Sequence, residues 1–325
     1  MPIHLCKKNK MNTKHIVIIG LGGVGGYFGF KINQANEKNK QHKVSFVARG
    51  TTYTTVKEHG LTLLSPEHAN PITRPDAVYK HISAIKDPDL LLICVKEYDL
   101  ENVCKQLSTV ITPNTILVPL MNGADIYDRI RALLPNNTIL PSCVYVASHI
   151  KEKGIVAHKG AAGKLIFGKD AAHMSVNLDW VLAVFEQSTI DFEFKENALS
   201  AIWSKFIFIA SFGLVSAKHN SSIGAVCTEA SQKKEATQIM LEIKTIAAKK
   251  DIFLAPDIIQ KVFEKAATFP PTTPTSLQLD VHSGKNKTEL ELFAGAIITY
   301  GSAENCTTVC TQRIYEEIKA VHKNL

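Results

Sequence analysis

The sequence has no apolar run long enough for a transmembrane helix, no dense basic block interleaved with aromatics, and no H-E-x-x-H among its twelve histidines. The first absence argues against a membrane span, the second against nucleic acid as a partner, and the third against a helical zinc site. Cysteine is sparse and unpatterned: seven residues, an odd number, none in C-x-x-C. Cys306 and Cys310 stand four apart on an expected helix without paired histidines beside them. The expectation is therefore no metal, and free thiols in a reducing cytoplasm. The first ten residues carry Lys7, Lys8 and Lys10 but neither an apolar core nor a small-residue cleavage site. They do not read as a signal peptide, and Met1 and Met11 are both candidate starts.

What is present is the composition of an ordinary globular chain, 45% hydrophobic and 21% charged, and 325 residues suffice for two domains with separate cores. The net charge of +7 comes from scattered lysines. It fits an anionic small ligand or simply a lysine-rich surface, and composition does not separate the two.

The stretch that organises the rest begins at Lys14. Ile16 to Ile19 is a short β-branched run bounded by glycine, the pattern of a buried strand. Gly20, Gly22 and Gly25 then fit G-x-G-x-x-G, with Gly23 and Val24 between them, and a helix is expected over about Val24 to Ala35. Gly20 suits the tight turn, Gly22 lets a pyrophosphate approach the backbone, and Gly25 lets the helix pack on the sheet. The helix N-terminus then offers free N–H groups and partial positive charge to the phosphates. The second expected strand, Lys43 to Ala48, ends in Arg49-Gly50 with no acid. A carboxylate there would accept from a ribose hydroxyl, whereas a guanidinium binds a 2′-phosphate bidentately. The residues thus predict NADP(H) rather than NAD(H), with Arg49 on the phosphate. A surface arginine at a strand end is the competing reading.

Gly60 to Ser65 and Ile72 to Tyr79 read as two further strands, an excursion from the main sheet. Asp89 to Lys96 and Ile116 to Gly123 are apolar runs closed by polar residues, Lys96 and Asn122. They are expected as buried parallel strands, whose carboxyl ends face the ligand crevice in open α/β sheets. Helices over Tyr98 to Leu107 and Ile126 to Leu134, then a strand over Thr138 to Val146, complete a doubly wound alternation. From Gly154 to Phe194 the pattern is mixed, with strands at Lys164 to Gly168 and Asp191 to Phe194 and a helix at Asn177 to Gln187. After Lys195 it turns helical: Ala198 to Lys218, Glu229 to Lys250, Pro256 to Ala267, Glu289 to Ala303 and Thr307 to Lys323. The fold class is accordingly α/β, with a dinucleotide-binding domain over 1–195 and an all-helical domain over 196–325. The apolar helices fit one core or a homodimer interface equally well.

Set in order, Gly-Leu-Gly-Gly-Val-Gly-Gly (20–26), Val-Lys96, Met-Asn122-Gly123, Trp203-Ser-Lys205-Phe, Ser276-Leu-Gln-Leu-Asp280 and Thr288-Glu289-Leu-Glu resemble the ketopantoate reductases. These are NADPH-dependent enzymes with a Rossmann domain and a helical C-terminal domain. The resemblance implies that Lys205 is the general acid that protonates the ketone oxygen and that Glu289 serves substrate binding and catalysis. It implies that Ser276 meets the substrate carboxylate, that Asn122 lies between nicotinamide and substrate, and that Lys96 contacts the cofactor. The residues agree with the lysine's part: a partly buried ammonium stabilises developing alkoxide charge, and a nearby carboxylate would offset its burial. Surface snorkelling of Lys205, a helix-start role for Glu289 and Ser276, a turn role for Asn122 and a solvated strand end for Lys96 are the structural alternatives.

The sequence departs from that family at three residues and by one extra residue between Asp280 and Glu289. Ile209 and Gly213 stand where asparagines often follow the helix lysine, and Ala294 stands where one precedes Gly295. The expected activity is NADPH-dependent reduction of 2-dehydropantoate to pantoate in pantothenate biosynthesis, in the cytoplasm. A related reductase of another 2-oxoacid, or a non-catalytic NADP(H)-binding regulator, remains open.

Overall fold

The computed structural model describes residues 13–67, 71–284 and 287–323. The two candidate starts and the N-terminal lysines lie outside the described residues. In chain order the first half runs β1 (His15–Ile19), α1 (Gly23–Asn39), β2 (Lys43–Val47), α2 (Gly50–His59), β3 (Leu61–Leu64), β4 (Ile72–Thr73), β5 (Ala77–Tyr79), β6 (Leu90–Ile93), α3 (Glu97–Leu107), β7 (Ile116–Pro119), α4 (Ile126–Leu133) and β8 (Thr138–Ile139). Six of these strands form one parallel sheet in the order β5-β2-β1-β6-β7-β8. The strand order reverses between β1 and β6, so the loops after Ile19 and Ile93 open on the crevice where such sheets bind ligands.

Both sheet faces are covered, which is why the strands read as continuous apolar runs. Ile16, Ile18, Leu90 and Leu92 point into a core shared with Phe28 and Phe46. Val17, Ile19, Leu91 and Ile93, one residue out of phase, join a core that continues to Trp203 and Phe206 of the helical half. The second half of the molecule is therefore anchored on one face of the sheet.

The chain then passes through β9 (Ser142–Tyr145), β10 (Ser148–Glu152), β11 (Ile155–His158), β12 (Lys164–Gly168), α5 (Asp179–Gln187) and β13 (Asp191–Lys195). Two small sheets, β10-β11-β3-β4 and β13-β12-β9, flank the main one. Three sequence expectations change here. The single strand over Thr138 to Val146 is two strands in two sheets, divided around Pro141, which has no N–H to give a ladder. The excursion holds for β3 and β4, but β5 pairs with β2 in the main sheet. A helix, α2, stands directly after Arg49, where its threonine-rich sequence has little helix propensity to announce it.

The remainder is helical: α6 (Leu199–His219), α7 (Ile223–Thr228), α8 (Ala230–Lys249), α9 (Ile258–Ala267), α10 (Ser276–His282), α11 (Ala296–Ala303) and α12 (Val309–Lys323). The short helix α7 was not expected, while α10 begins at Ser276, where a helix start was the structural alternative. The helix foreseen over Glu289 to Ala303 contains a π-helical turn at Glu291–Gly295 before α11. A Cβ on Gly295 would lie 2.3 Å from Glu291 Oε2, so glycine leaves room for the carboxylate that accepts the Tyr315 hydroxyl. Contrary to the sequence reading, α6 does meet the length and apolarity of a membrane span. It has 21 residues and a mean hydropathy of 1.6, but 61% of the apolar window is buried inside the protein, as in a core helix.

One polar cluster ties the helices together. Lys218, His219 and Arg313 surround the Glu235 carboxylate at 2.6, 2.7 and 3.0 Å, linking α6, α8 and α12. Burial would raise this carboxyl, but the three hydrogen bonds prevail and push it down to about 2. A depressed carboxyl contributes stability that is present above its ordinary value of 4.5 and is lost as pH falls towards about 2. Glu235→Gln is expected to cost about 2 kcal/mol at neutral pH and to flatten that acid branch in urea unfolding.

Candidate active site

Gly20 closes β1 with φ of 90°, a conformation that favours glycine, and a Cβ there would lie 2.6 Å from the Cys94 carbonyl oxygen. A Cβ on Gly25 would lie 1.9 Å from the Gly20 carbonyl oxygen. That glycine seats α1 against the turn. Gly22 differs: nothing lies within 4 Å of its missing Cβ. Its open side belongs to a groove of about 730 Å³ that runs from Gly20 and Gly22 past Arg49 and Thr52 to Lys96. This is the cradle a diphosphate requires, beside the N-terminus of α1. Gly23 and Val24 begin α1 behind the groove. A Cβ on Gly23 would press on the Ser148 backbone at 2.4 Å, so this glycine also admits β10.

Arg49 stands at the far wall of the groove, as the N-cap of α2. Its guanidinium is exposed but not free: Asp99 of α3 accepts from Nη2 at 2.5 Å. Lys80 lines the same wall. It was invisible in the sequence because only the pairing of β5 with β2 brings it beside Arg49. No carboxylate closes β2, and Arg49, Lys80 and Thr52 line this wall together with Asp99.

The second cluster is built from three elements. Lys205, on α6, donates to Asn122 Oδ1 at 2.6 Å and to the Val144 carbonyl of β9 at 2.5 Å. Asn122 sits in the turn after β7, where Gly123 has φ of 117°. The residue as a whole is half-buried. Burial pushes the ammonium down to about 8, opposed only weakly by Cys143. The carboxylate expected beside it is elsewhere. Glu289 pairs with Lys96, which also reaches Asp280 at 3.5 Å. Partial burial would lower Lys96, but the two carboxylates hold it raised. The sequence reading expected a carboxylate near Lys205; the fold instead gives Lys205 two neutral acceptors and uses Glu289 to bridge from the helical half to the carboxyl edge of β6.

Ser276 is the exposed first residue of α10, and the cap is Thr275, whose hydroxyl accepts from the Gln278 N–H. Arg129 was missed. It binds Glu97 and Asp125 and donates to the Glu291 carbonyl at 3.4 Å, a second tie between the halves. Tyr145 was missed too: its ring centroid lies 5.3 Å from Lys205 Nζ. No local pattern marks either residue.

A glycine turn at the reversal point of a parallel sheet, with a helical half placing an amine at the same carboxyl edge, is the arrangement of a dinucleotide-binding α/β fold. Family models described as ketopantoate reductase PanE/ApbA and its C-terminal domain match residues 16–171 and 197–322. The chain belongs to the ketopantoate reductase family. It is 22% identical over 245 residues to the 2-dehydropantoate 2-reductase of Halobacterium salinarum, covering 75% of this chain and 79% of that one. The solved 2-dehydropantoate 2-reductase of Methylococcus capsulatus superposes with a TM-score of 0.83 at 25% identity, over 95% of this chain and 97% of that one. A D-mandelate dehydrogenase solved with NADH and anilino(oxo)acetate shares the fold, with a TM-score of 0.81 at 19% identity over 95% and 99%.

Proposed function

We propose that the chain is a cytoplasmic NADPH-dependent reductase of a 2-oxoacid, with reduction of 2-dehydropantoate to pantoate on the route to pantothenate as its reference reaction. The observation that carries the reading is the Lys205 amine, fixed by Val144 and by Asn122, which follows β7 at the same carboxyl edge of the parallel sheet as the glycine turn after β1. When bound, the reduced nicotinamide supplies a hydride to the carbonyl carbon. Lys205 has three N–H donors. Two are spent on Asn122 and Val144, and the third is directed to the ketone oxygen, to which it gives its proton as alkoxide charge develops. Neutral acceptors orient the amine without neutralising it. With its pKa brought down to about 8, the group is still protonated at neutral pH yet gives up its proton readily. Glu289 and Asp280 hold Lys96 at the groove, and we assign the substrate carboxylate to Ser276, one turn before Asp280 on α10.

Arg49 and Lys80 support the choice of NADPH. Arg49→Gln is expected to lower kcat/KM for NADPH about 10- to 100-fold while leaving that for NADH unchanged. Steady-state kinetics with both cofactors checks this; equal losses with both would remove Arg49 from phosphate recognition. The reductase reading itself is tested by NADPH oxidation in the presence of 2-oxoacids. A protein that binds NADPH but consumes it with none of them is a binding regulator instead. Ile209, Gly213 and Ala294 favour a second reading, a 2-oxoacid other than 2-dehydropantoate.

A further inference from the structure

A second cavity, of about 500 Å³, lies at the seam between the two halves. Tyr127 of α4 and Lys169 and Met174 after β12 border it from one half; Trp203 of α6, Tyr300 of α11 and Lys250 after α8 border it from the other. None of its lining residues lines the dinucleotide groove. Lys205 is two residues beyond Trp203, a spacing that does not share a helix face. The cavity wall is thus a different face of α6 from the one that carries the amine.

The lining is largely aromatic. Trp203 and Tyr300 pack with centroids 5.6 Å apart, and Tyr127 joins them. Met174, 51% exposed, adds a side chain that adapts to what it covers. Two donors border the Tyr300 ring without an acceptor. Trp203 is 2% exposed, yet among the described residues none accepts a hydrogen bond from its indole N–H, a group that ordinarily finds a partner when buried. Lys250 Nζ lies 4.4 Å from the Tyr300 centroid, and its ion-pair partner Glu304 stands at 3.9 Å, beyond hydrogen-bond reach. The carboxylates of the lining are already engaged: Asp128 accepts the Tyr300 hydroxyl, and Glu196 pairs with Lys169 at 2.8 Å. The donors call for an anionic acceptor, and the rings for a flat apolar body.

We infer that this cavity is a second ligand site, for a small aromatic carboxylate. The carboxylate accepts from Lys250 and from the Trp203 indole N–H, and the ring leaves water to pack among the three aromatic side chains. The inference is independent of the reductase reading above.

The probe is 3-phenylpropionate, which has a ring and a carboxylate but no ketone to reduce. It is titrated by calorimetry into full-length protein with NADP⁺ and the 2-oxoacid mimic oxamate at saturation. The expected dissociation constant is about 1 mM or tighter. The neutral amide, 3-phenylpropionamide, should bind at least about tenfold more weakly. Lys250→Met should weaken the acid by the same factor and leave the amide unchanged. Ala171→Trp, at an exposed position of the lining, should fill the cavity and abolish binding of both, and it serves alone should the lysine variant fold poorly. No saturable binding, equal affinity for acid and amide, or binding unchanged in the folded variants overturns the inference.

Discussion

Replacing Lys205 with methionine is expected to lower kcat for 2-oxoacid reduction about 10²- to 10⁴-fold while leaving the NADPH dissociation constant unchanged. The variant keeps much of the stem's packing but removes the amine bonded to Asn122 and Val144. Lys205→Arg should recover little, because a guanidinium keeps the charge but does not release a proton near neutrality. The sign of the pH dependence follows from the same group. The acid form is the active one in reduction, so kcat/KM should be flat below about pH 8 and fall above it as the amine loses its proton. In the reverse direction the neutral amine is the base, and the rate should rise through the same pH. A profile set by a normal lysine, flat well past pH 8, would contradict the assignment.

The second large effect separates two glycines of the same turn. Gly25→Ala places a Cβ 1.9 Å from the Gly20 carbonyl and 2.8 Å from the Cys94 Cβ. Both neighbours lie in the turns that close β1 and β6, bonded to the strands beside them, so α1 must move off the sheet. The expected loss is about 4 kcal/mol or more, or failure to fold. Gly22→Ala meets nothing within 4 Å, so its unfolding midpoint should stay within about 1 kcal/mol of wild type. Yet the new methyl group enters the groove at the point of closest phosphate approach, and NADPH affinity should fall at least about tenfold. Thermal unfolding and cofactor titration on both variants check the pair. Equal losses of stability would show that Gly22 serves packing rather than the cofactor.

The elements legible in the sequence are those whose cause is local. β1, β6 and β7 are buried on both faces and so appear as uninterrupted apolar runs. The glycine turn is visible because its glycines recur at a fixed spacing between a strand run and a helix, although what crowds Gly20 and Gly23 is distant in the chain and nothing crowds Gly22. α6 and α8 are long enough for periodicity to define them. The elements missed have causes at a distance. α2 forms from Gly-Thr-Thr-Tyr-Thr-Thr in spite of its propensity, and β5 is a three-residue strand whose place depends on pairing with β2. The candidate site shows the same division. Lys205, Asn122 and Arg49 could be singled out because charge or amide interrupts an apolar pattern. The partner of Glu289 could not, since Lys96 is 193 residues away in the chain and reaches it only through docking of the helical half on the sheet edge. Tyr145 beside Lys205 is a consequence of that same docking, and Lys80 beside Arg49 of the pairing of β5 with β2.

The most direct measurement is a crystal structure of the ternary complex with NADP⁺ and oxamate, an unreactive mimic of a 2-oxoacid. The expected result is Lys205 Nζ about 2.6–3.2 Å from the oxygen that replaces the ketone, with Asn122 and Val144 still holding the amine. Nζ at more than about twice that distance from the oxygen, in a closed complex with both ligands in place, would contradict Lys205 as the proton donor.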